Sequence, residues 1–219
     1  RQTLVSAIAE RGFFALIEQR PFATIANPSD VPRSIHVSGF DSAPLAADME
    51  VVLAGREAAF QTGIHALRKL ANSSNVQLGL RAGQSFYNAI DGVDRYVFDG
   101  PHPTGNVGVQ IHHTCPINKG EVVWTMHAED VANLGETLAS GAYCAKRTIA
   151  LGGSECEEPR HIQTLLGSAI SSLVGSVNDE DVRIISGNPL TGDRTSNKGF
   201  LGGLHHQVCL LPEGNKPKF

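Results

Sequence analysis

The sequence is poor in the features that bring a protein to nucleic acid or through a membrane. Its 18 basic residues are outnumbered by 22 acidic ones, the formal net charge is -4, and the basic residues form no cluster. Because nucleic-acid affinity rests on Lys and Arg neutralising phosphates, we expect no nucleic-acid partner. The longest apolar runs, such as residues 169–174, are short and contain serines, so we expect no membrane-spanning segment.

Residue patterns that bind metal ions are also missing. The four cysteines, at positions 115, 144, 156 and 209, include no Cys-x-x-Cys pair, which argues against a zinc ribbon or an iron–sulfur cluster. The histidine pairs His112-His113 and His205-His206 are adjacent in sequence, and neighbours on a strand point to opposite faces. We therefore expect free thiols and no metal site.

Two motifs of nucleotide binding and catalysis begin in the sequence but are not completed. Residues 187–192 have the Gly-x-x-x-x-Gly skeleton of a phosphate loop, but Asp193 stands where a lysine is needed and Pro189 removes an amide donor. Residues 83–87 begin like a nucleophile elbow and lack its final glycine. We expect structural turns at both places and no catalytic residue.

The composition and periodicity are those of a globular α/β protein. Hydrophobic residues make up 41% of the 219 residues and charged residues 18%, enough for a real core. A strand at 34–38, a helix at 49–71 and a strand at 76–80 predict a βαβ unit with a parallel sheet. The other elements predicted in this region are a helix at 1–19 ended by Pro21, strands at 95–98 and 122–126, and a helix at 128–139 ended by Gly141.

The pattern changes near residue 147. Strands at 147–151, 182–186 and 205–211 around a helix at 161–174 predict a small α+β module of the β-grasp kind. The sequence thus predicts two domains, residues 1–146 and residues 147–219. Because the chain begins at Arg1 rather than at a methionine, we interpret it as an internal piece of a longer protein.

Two segments are candidates for ligand binding. Arg20-Pro21-Phe22 joins a cation to an aromatic ring, which suits either a flat apolar ligand or a packing contact with a missing domain. Residues 100–108 hold three glycines at positions 100, 105 and 108 and two prolines, so the backbone there follows an unusual path, and His102 could donate to an anion. A rigid structural loop is the favoured alternative for this second segment.

Three segments together resemble a known family. They are Arg20-Pro21-Phe22, residues 97–105 with the run Phe-Asp-Gly-Pro-His-Pro, and residues 182–187 with the later 201–202 and 206–208. The chain resembles the A subunit of the bacterial sodium-translocating NADH:quinone oxidoreductase over essentially its whole length. The resemblance implies a Rossmann-like domain related to the flavin-binding subunit of complex I, then a β-grasp (SLBB-like) domain. The full subunit is about twice as long, so its N- and C-terminal domains would be absent here.

The resemblance also implies that this chain holds no redox cofactor. Flavin-binding relatives have a glycine-rich loop where this chain has residues 22–33, a stretch without glycine. Side chains there would block the close backbone approach that a flavin phosphate needs. The flavins and the iron–sulfur site are therefore expected on other subunits.

The family implies a role in a complex that passes electrons from NADH to ubiquinone and exports sodium. The subunit would be peripheral, on the cytoplasmic side of the bacterial inner membrane, touching the membrane only through partner subunits. Arg20, Pro21, Phe22 and His102 are the candidates for a quinone contact or a subunit interface. The alternative is a purely structural docking module of the same complex, without any ligand.

Overall fold

A computed structural model describes residues 1–71, 76–178 and 180–215 of the chain. The fold is mixed α/β with two sheets, which confirms the predicted fold class. Its contacts divide it into two compact units. Unit 1 consists of Arg1–Ser42 and Met49–Cys144, and unit 2 consists of Ala43–Asp48 and the chain from Ala145 onward.

The sheet of unit 1 is mainly parallel. Among the described residues it has six strands in the order β2-β1-β6-β3-β4-β5. The strands β6, β3, β4 and β5 run parallel, and β1 and β2 form an antiparallel hairpin beside β6. The strand bounds are β1 Glu18–Arg20, β2 Thr24–Ile25, β3 Ser34–Ser38, β4 Val76–Arg81, β5 Val93–Phe98 and β6 Val123–His127.

Helices cover both faces of this sheet. Right-handed crossovers between parallel strands place α3, between β3 and β4, and α4, between β5 and β6, on opposite faces. The helix α5 packs on α3, and both contact β3. The helix bounds are α1 Gln2–Glu10, α2 Met49–Val52, α3 Glu57–Ala71, α4 Val107–Thr114 and α5 Ala128–Ser140, with 3-10 turns at Phe13–Leu16 and Phe86–Ala89.

The prediction of one helix over residues 1–19 is wrong. The helix α1 ends at Glu10, and Gly12 then takes a left-handed conformation with φ of 76°, which stops the helix. Phe13 and Leu16 lie on a 3-10 turn and their side chains are buried, and Glu18–Arg20 forms a strand. Apolar spacing suggested one helix because both kinds of turn bury residues about three apart.

In unit 1, one further helix prediction needs correction and one helix was missed. The predicted helix at 49–71 is divided into α2 and α3, with Gly55 in the left-handed region between them. The helix α4 was not predicted, and His112 and His113 lie on it rather than on a strand. By contrast, α5 is confirmed, with Gly141 at its end in the left-handed conformation.

Unit 2 is built on a second sheet. Its described strands have the order β10-β9-β11-β7-β8, in which β11 is parallel to β7 and the other neighbours are antiparallel. One helix, α6, packs on this sheet, and the core includes Ile149, Ile170, Ile184 and Val208. The bounds are β7 Lys146–Gly152, β8 Arg160–Leu165, α6 Ile170–Val174, β9 Val182–Ser186, β10 Asp193–Thr195 and β11 Gln207–Pro212.

The predicted helix at 161–174 is mostly wrong. Arg160–Leu165 is the strand β8, paired along β7 from Lys146↔Leu165 onward, and only Ile170–Val174 is helical. Ile162 and Thr164 are half-buried and their neighbours are exposed. This alternation is typical of an edge strand with one face on the core. In the described parts of the chain, no helix is long and apolar enough to cross a membrane.

Candidate functional site

The β1–β2 hairpin presents an exposed aromatic ring at its tip. Arg20 is the last residue of β1, and the chain turns through Pro21, Phe22 and Ala23 before β2 begins. Phe22 is 85% exposed and Ile25, on β2, is 68% exposed. Ala23 has φ of 52°, in the left-handed region. This hairpin tip is therefore an apolar surface without cover from the described residues of this chain.

Arg20 is held at the base of the hairpin tip rather than extended into solvent. Its Nε donates to Oγ1 of Thr125 at 3.4 Å, and its Nη2 lies 3.6 Å from a carboxylate oxygen of Glu18. Its side chain is 21% exposed. The guanidinium is thus oriented by its neighbours and still reaches the surface.

His102 lies in a loop at the carboxyl end of β5, where it is tied to the loop after β3. Its Nδ1 shares a hydrogen bond of 3.1 Å with Oγ of Ser42. The same oxygen accepts from the backbone N–H of Gly105 at 2.8 Å, so Ser42 joins two points of the loop. Thr104 donates through Oγ1 to the carbonyl of Pro101 at 2.9 Å. These bonds fix the path of the loop.

Glycines at this edge of the sheet allow close contacts within the chain. A Cβ on Gly105 would lie 2.3 Å from the backbone nitrogen of Ser42. A Cβ on Gly79, in β4, would lie 2.0 Å from Oε1 of Gln110, whose Nε2 donates to the carbonyl of Thr104 at 3.1 Å. The space next to both glycines is therefore filled by atoms of this chain.

The structure does not bring the four candidate residues together. Arg20 pairs with Val123, the first residue of β6, whereas His102 follows Phe98, the last residue of β5. Since β5 and β6 are parallel members of one sheet, Arg20 lies near the amino-terminal ends of these strands and His102 lies near their carboxyl-terminal ends. Strands of this length place their two ends about 15 Å apart, at roughly 3.3 Å per residue. Arg20, Pro21 and Phe22 form one region and His102 belongs to another.

The segment at residues 22–33 uses part of its backbone to bond to its own unit. The N–H of Ala26 donates to the carbonyl of Ile17 at 2.9 Å, and that of Arg33 donates to Val122 at 2.7 Å. The Arg33 guanidinium pairs with Glu121 at 2.9 Å. The segment therefore connects the hairpin to β3 through contacts with its neighbours.

Unit 2 contains a serine, a histidine and an aspartate in sequence-distant contact, which the sequence did not indicate. Ser186 Oγ lies 2.8 Å from His205 Nδ1, and His205 Nε2 lies 3.8 Å from Asp193. Ser186 is buried, and its Oγ also accepts from the N–H of Gly202 at 2.9 Å. Burial lowers the pKa of His205 despite Asp193. A nucleophile needs access to substrate, so this cluster ties strands β9 and β10 to the loop before β11 and does not form a hydrolase triad.

Two family models cover most of the chain. The NqrA second alpha/beta domain matches residues 1–143, and the NQRA C-terminal domain matches residues 148–197. The A subunit of the Na⁺-translocating NADH-quinone reductase of Saccharophagus degradans is 34% identical over 221 aligned positions, covering 100% of this chain and 49% of that protein. The chain belongs to the NqrA family. The corresponding protein from Pseudomonas aeruginosa is 36% identical, with 97% and 48% covered.

The chain spans about half the length of these curated relatives, as the coverage of 49% and 48% states. Among solved structures, an NAD⁺-reducing [NiFe]-hydrogenase in the air-oxidised state is similar, with a TM-score of 0.65 and 12% identity over 95% of this chain and 46% of that one. An NAD⁺-reducing [NiFe]-hydrogenase in the H₂-reduced state has a TM-score of 0.61 and 13% identity, with the same coverage of both chains. At such identity the similarity establishes the fold alone.

Proposed function

We propose that this chain is the central part of a peripheral subunit of a sodium-pumping NADH:ubiquinone oxidoreductase, located on the cytoplasmic side of the bacterial inner membrane. The observation that carries the proposal is similarity over 97–100% of this chain, at 34–36% identity, to proteins named as the A subunit of the Na⁺-translocating NADH-quinone reductase. Within that complex the chain contributes to quinone interaction and to assembly with the other subunits. It carries no redox cofactor of its own.

The β1–β2 hairpin is the region that we assign to the quinone. A quinone headgroup is a flat ring with carbonyl oxygens, so it can stack on an aromatic side chain and accept from a guanidinium. Phe22 offers an exposed ring, and Arg20 offers an oriented guanidinium at the same end of the hairpin. Pro21 links the two residues. His102, at the other edge of the sheet, is assigned to a subunit interface instead.

Absence of a redox cofactor is supported by how the chain uses its glycine positions. The segment at 22–33 has no glycine, and two of its amides already bond to carbonyls of unit 1. Gly79 and Gly105 face atoms of Gln110 and Ser42 rather than open space. A flavin phosphate needs a backbone that it can approach closely, so these places do not favour one.

The test is steady-state kinetics of the assembled complex with a short-chain ubiquinone. We expect Phe22→Ala and Arg20→Gln to raise the KM for quinone while NADH oxidation by artificial acceptors is unchanged. Val51→Ala is the matched control, because Val51 is also exposed, at 53%, but lies on α2 and not on the hairpin. Normal assembly with unchanged quinone kinetics in both hairpin variants would reject the assignment.

A purely structural docking module is the second candidate, favoured by the exposed edge strand β5 and its Val97. Titration of the purified chain with a short-chain quinone analogue separates the two. Saturable binding that is lost in Phe22→Ala supports a quinone contact, whereas absence of binding together with failed assembly of the same variant supports docking.

An independent flavin enzyme would give a yellow preparation that releases flavin on denaturation.

A further inference from the structure

Unit 2 has an open cleft of about 540 Å³ at one end of its sheet. It lies between the turn that joins β7 to β8, the end of α6 and the start of β9. The cleft has an apolar floor and a charged rim. Its lining residues are Leu151, Glu155, Cys156, Glu157, Glu158, Arg160, Leu173, Val174, Ser176, Val177, Asn178, Val182 and Leu210.

The floor consists of buried core leucines, and half-buried valines beside them supply the accessible apolar atoms. Leu151, Leu173 and Leu210 belong to the buried core of unit 2. Val174 and Val177 pack against that core but are only half-buried. Apolar atoms continuous with the core therefore reach the surface of the cleft, where covering them would remove apolar area from water.

The rim carries an excess of negative charge. Glu158 pairs with Arg160 at 3.1 Å, and both are exposed. Glu155 and Glu157 are exposed, and within the described residues neither carboxylate has a cationic partner. An apolar side chain that enters the cleft would thus lie beside a turn whose carboxylates attract positive charge.

We propose that this cleft binds a short segment of a partner protein in which an apolar side chain is flanked by lysine or arginine. Charge complementarity selects the flanking cations, and the accessible core selects the apolar anchor. The rim favours a peptide over an enclosed small molecule, since its glutamates project into solvent, with the side chain of Glu158 81% exposed. The site is independent of the hairpin assigned to the quinone.

The first experiment measures binding of a fluorescein-labelled peptide of alternating lysine and leucine to the full 219-residue chain by fluorescence anisotropy. We expect saturable binding that weakens as salt is added. The double variant Glu155→Lys, Glu157→Lys should lower the affinity by about tenfold or more, since each reversal replaces attraction by repulsion. Glu10→Lys is the matched control, an exposed charge reversal at the end of α1, and should change nothing.

A second measurement tests location rather than affinity. Cys156 lines the cleft and is half-buried, so its alkylation by a maleimide should slow when the peptide is bound. Cys115, half-buried in unit 1, is the internal control and should react at an unchanged rate. Mass spectrometry assigns each modified cysteine. Circular dichroism of the glutamate variants establishes that they remain folded.

Four binding results would overturn the proposal, and self-association is a fifth such outcome. The binding results are absence of saturable binding to the wild-type chain, equal binding of a glutamate–leucine peptide, equal binding of a lysine–serine peptide, and equal loss in Glu10→Lys. Protection of Cys156 by concentration-dependent self-association, removed by the double variant, would assign the cleft to a second copy of this chain and also overturn it. Specific, salt-sensitive binding with protection of Cys156 alone supports it.

Discussion

Gly135 of α5 lies directly against the carbonyl oxygen of Ala59 in α3, so that a Cβ added to this glycine would be 1.8 Å from that oxygen. Gly63 of α3 makes the reciprocal contact, with a Cβ position 2.1 Å from the carbonyl oxygen of Val131 in α5. The two helices therefore pack backbone to backbone over the sheet of unit 1. Neither position has room for a side chain.

Gly135→Ala should destabilise unit 1 by about 3 kcal/mol, because the added methyl group forces the helices apart and backbone atoms cannot move aside as a flexible side chain would. Urea denaturation followed by circular dichroism measures the loss. Gly108→Ala is the control, since Gly108 is exposed on α4 with nothing near its Cβ position. It should leave stability unchanged or raise it by about 0.5 kcal/mol. Equal effects would contradict this packing.

Glu50 should make stability depend on pH in the acid range. Its carboxylate accepts from the N–H groups of Ser85 at 2.6 Å and Phe86 at 3.1 Å, and from Oγ of Ser85 at 3.0 Å. The bond from Phe86, followed by those from Ser85, holds the pKa of Glu50 below its ordinary value. The folded pKa is thus below the unfolded one, so the stabilisation is present above the unfolded pKa and disappears as pH falls through the folded pKa.

Glu50→Gln should cost about 0.5 kcal/mol at neutral pH, since solvent screens this partly exposed carboxylate, and less at low pH where wild-type Glu50 is protonated. Urea unfolding at neutral and acid pH measures both values. Glu57→Gln is the control, an exposed acidic residue in the first turn of α3. A difference between wild type and Glu50→Gln that stays constant with pH would contradict the role of the charge.

His36 should be neutral at physiological pH. It is buried in β3 with Nε2 3.1 Å from Oγ of Ser34, and burial, aided by the charge of Arg33, lowers the pKa of His36 to about 4. Because the unfolded state binds the proton more readily, stability is full above the unfolded pKa, about 6.5, and falls as pH decreases towards 4. NMR titration of the imidazole should give this low pKa. His36→Gln should flatten the slope of stability between these pH values; an ordinary pKa would contradict the burial.

Ser42 should control the rigidity of the loop that carries His102. Ser42→Ala removes the acceptor for the Gly105 N–H and the partner of His102 Nδ1, so we expect a loss of about 1 kcal/mol and faster amide exchange at Gly105. Hydrogen exchange read by NMR measures the effect. Ser29→Ala, at an exposed position, should leave exchange at Gly105 unchanged. Unchanged protection in Ser42→Ala would show that other contacts hold the loop.

Much of the fold could be predicted because its signals are local. The strand at 34–38 and the helix α5 carry their own periodicity and end signals, and both were placed close to their observed bounds. Residues 160–165 could not be placed in the same way. Their strand exists because β7 offers a pairing partner, and a run with half-buried Ile162 is compatible with helix or strand until that partner is known.

The candidate site, too, could be predicted only in part from the sequence. The residue types and their order single out Arg20, Phe22 and His102 as candidates. Their separation across the sheet depends on the pairing of β1 with β6, whose residues are about a hundred positions apart in sequence. Such long-range pairing has no local signal in the sequence, because it depends on which strand of the folded sheet has an unpaired side.

The sequence by itself determined the α/β class, the family and the absence of the tested catalytic motifs, since composition, periodicity and short motifs are carried by neighbouring residues. Only the tertiary structure decided that glycines at 63 and 135 are packing positions, that Ser186 of β9 contacts His205, and that a turn with three glutamates lines one side of the cleft in unit 2. The physical reason is that each of these features is a contact between residues far apart in sequence. Its energy depends on distance and burial, which exist only once the chain has folded.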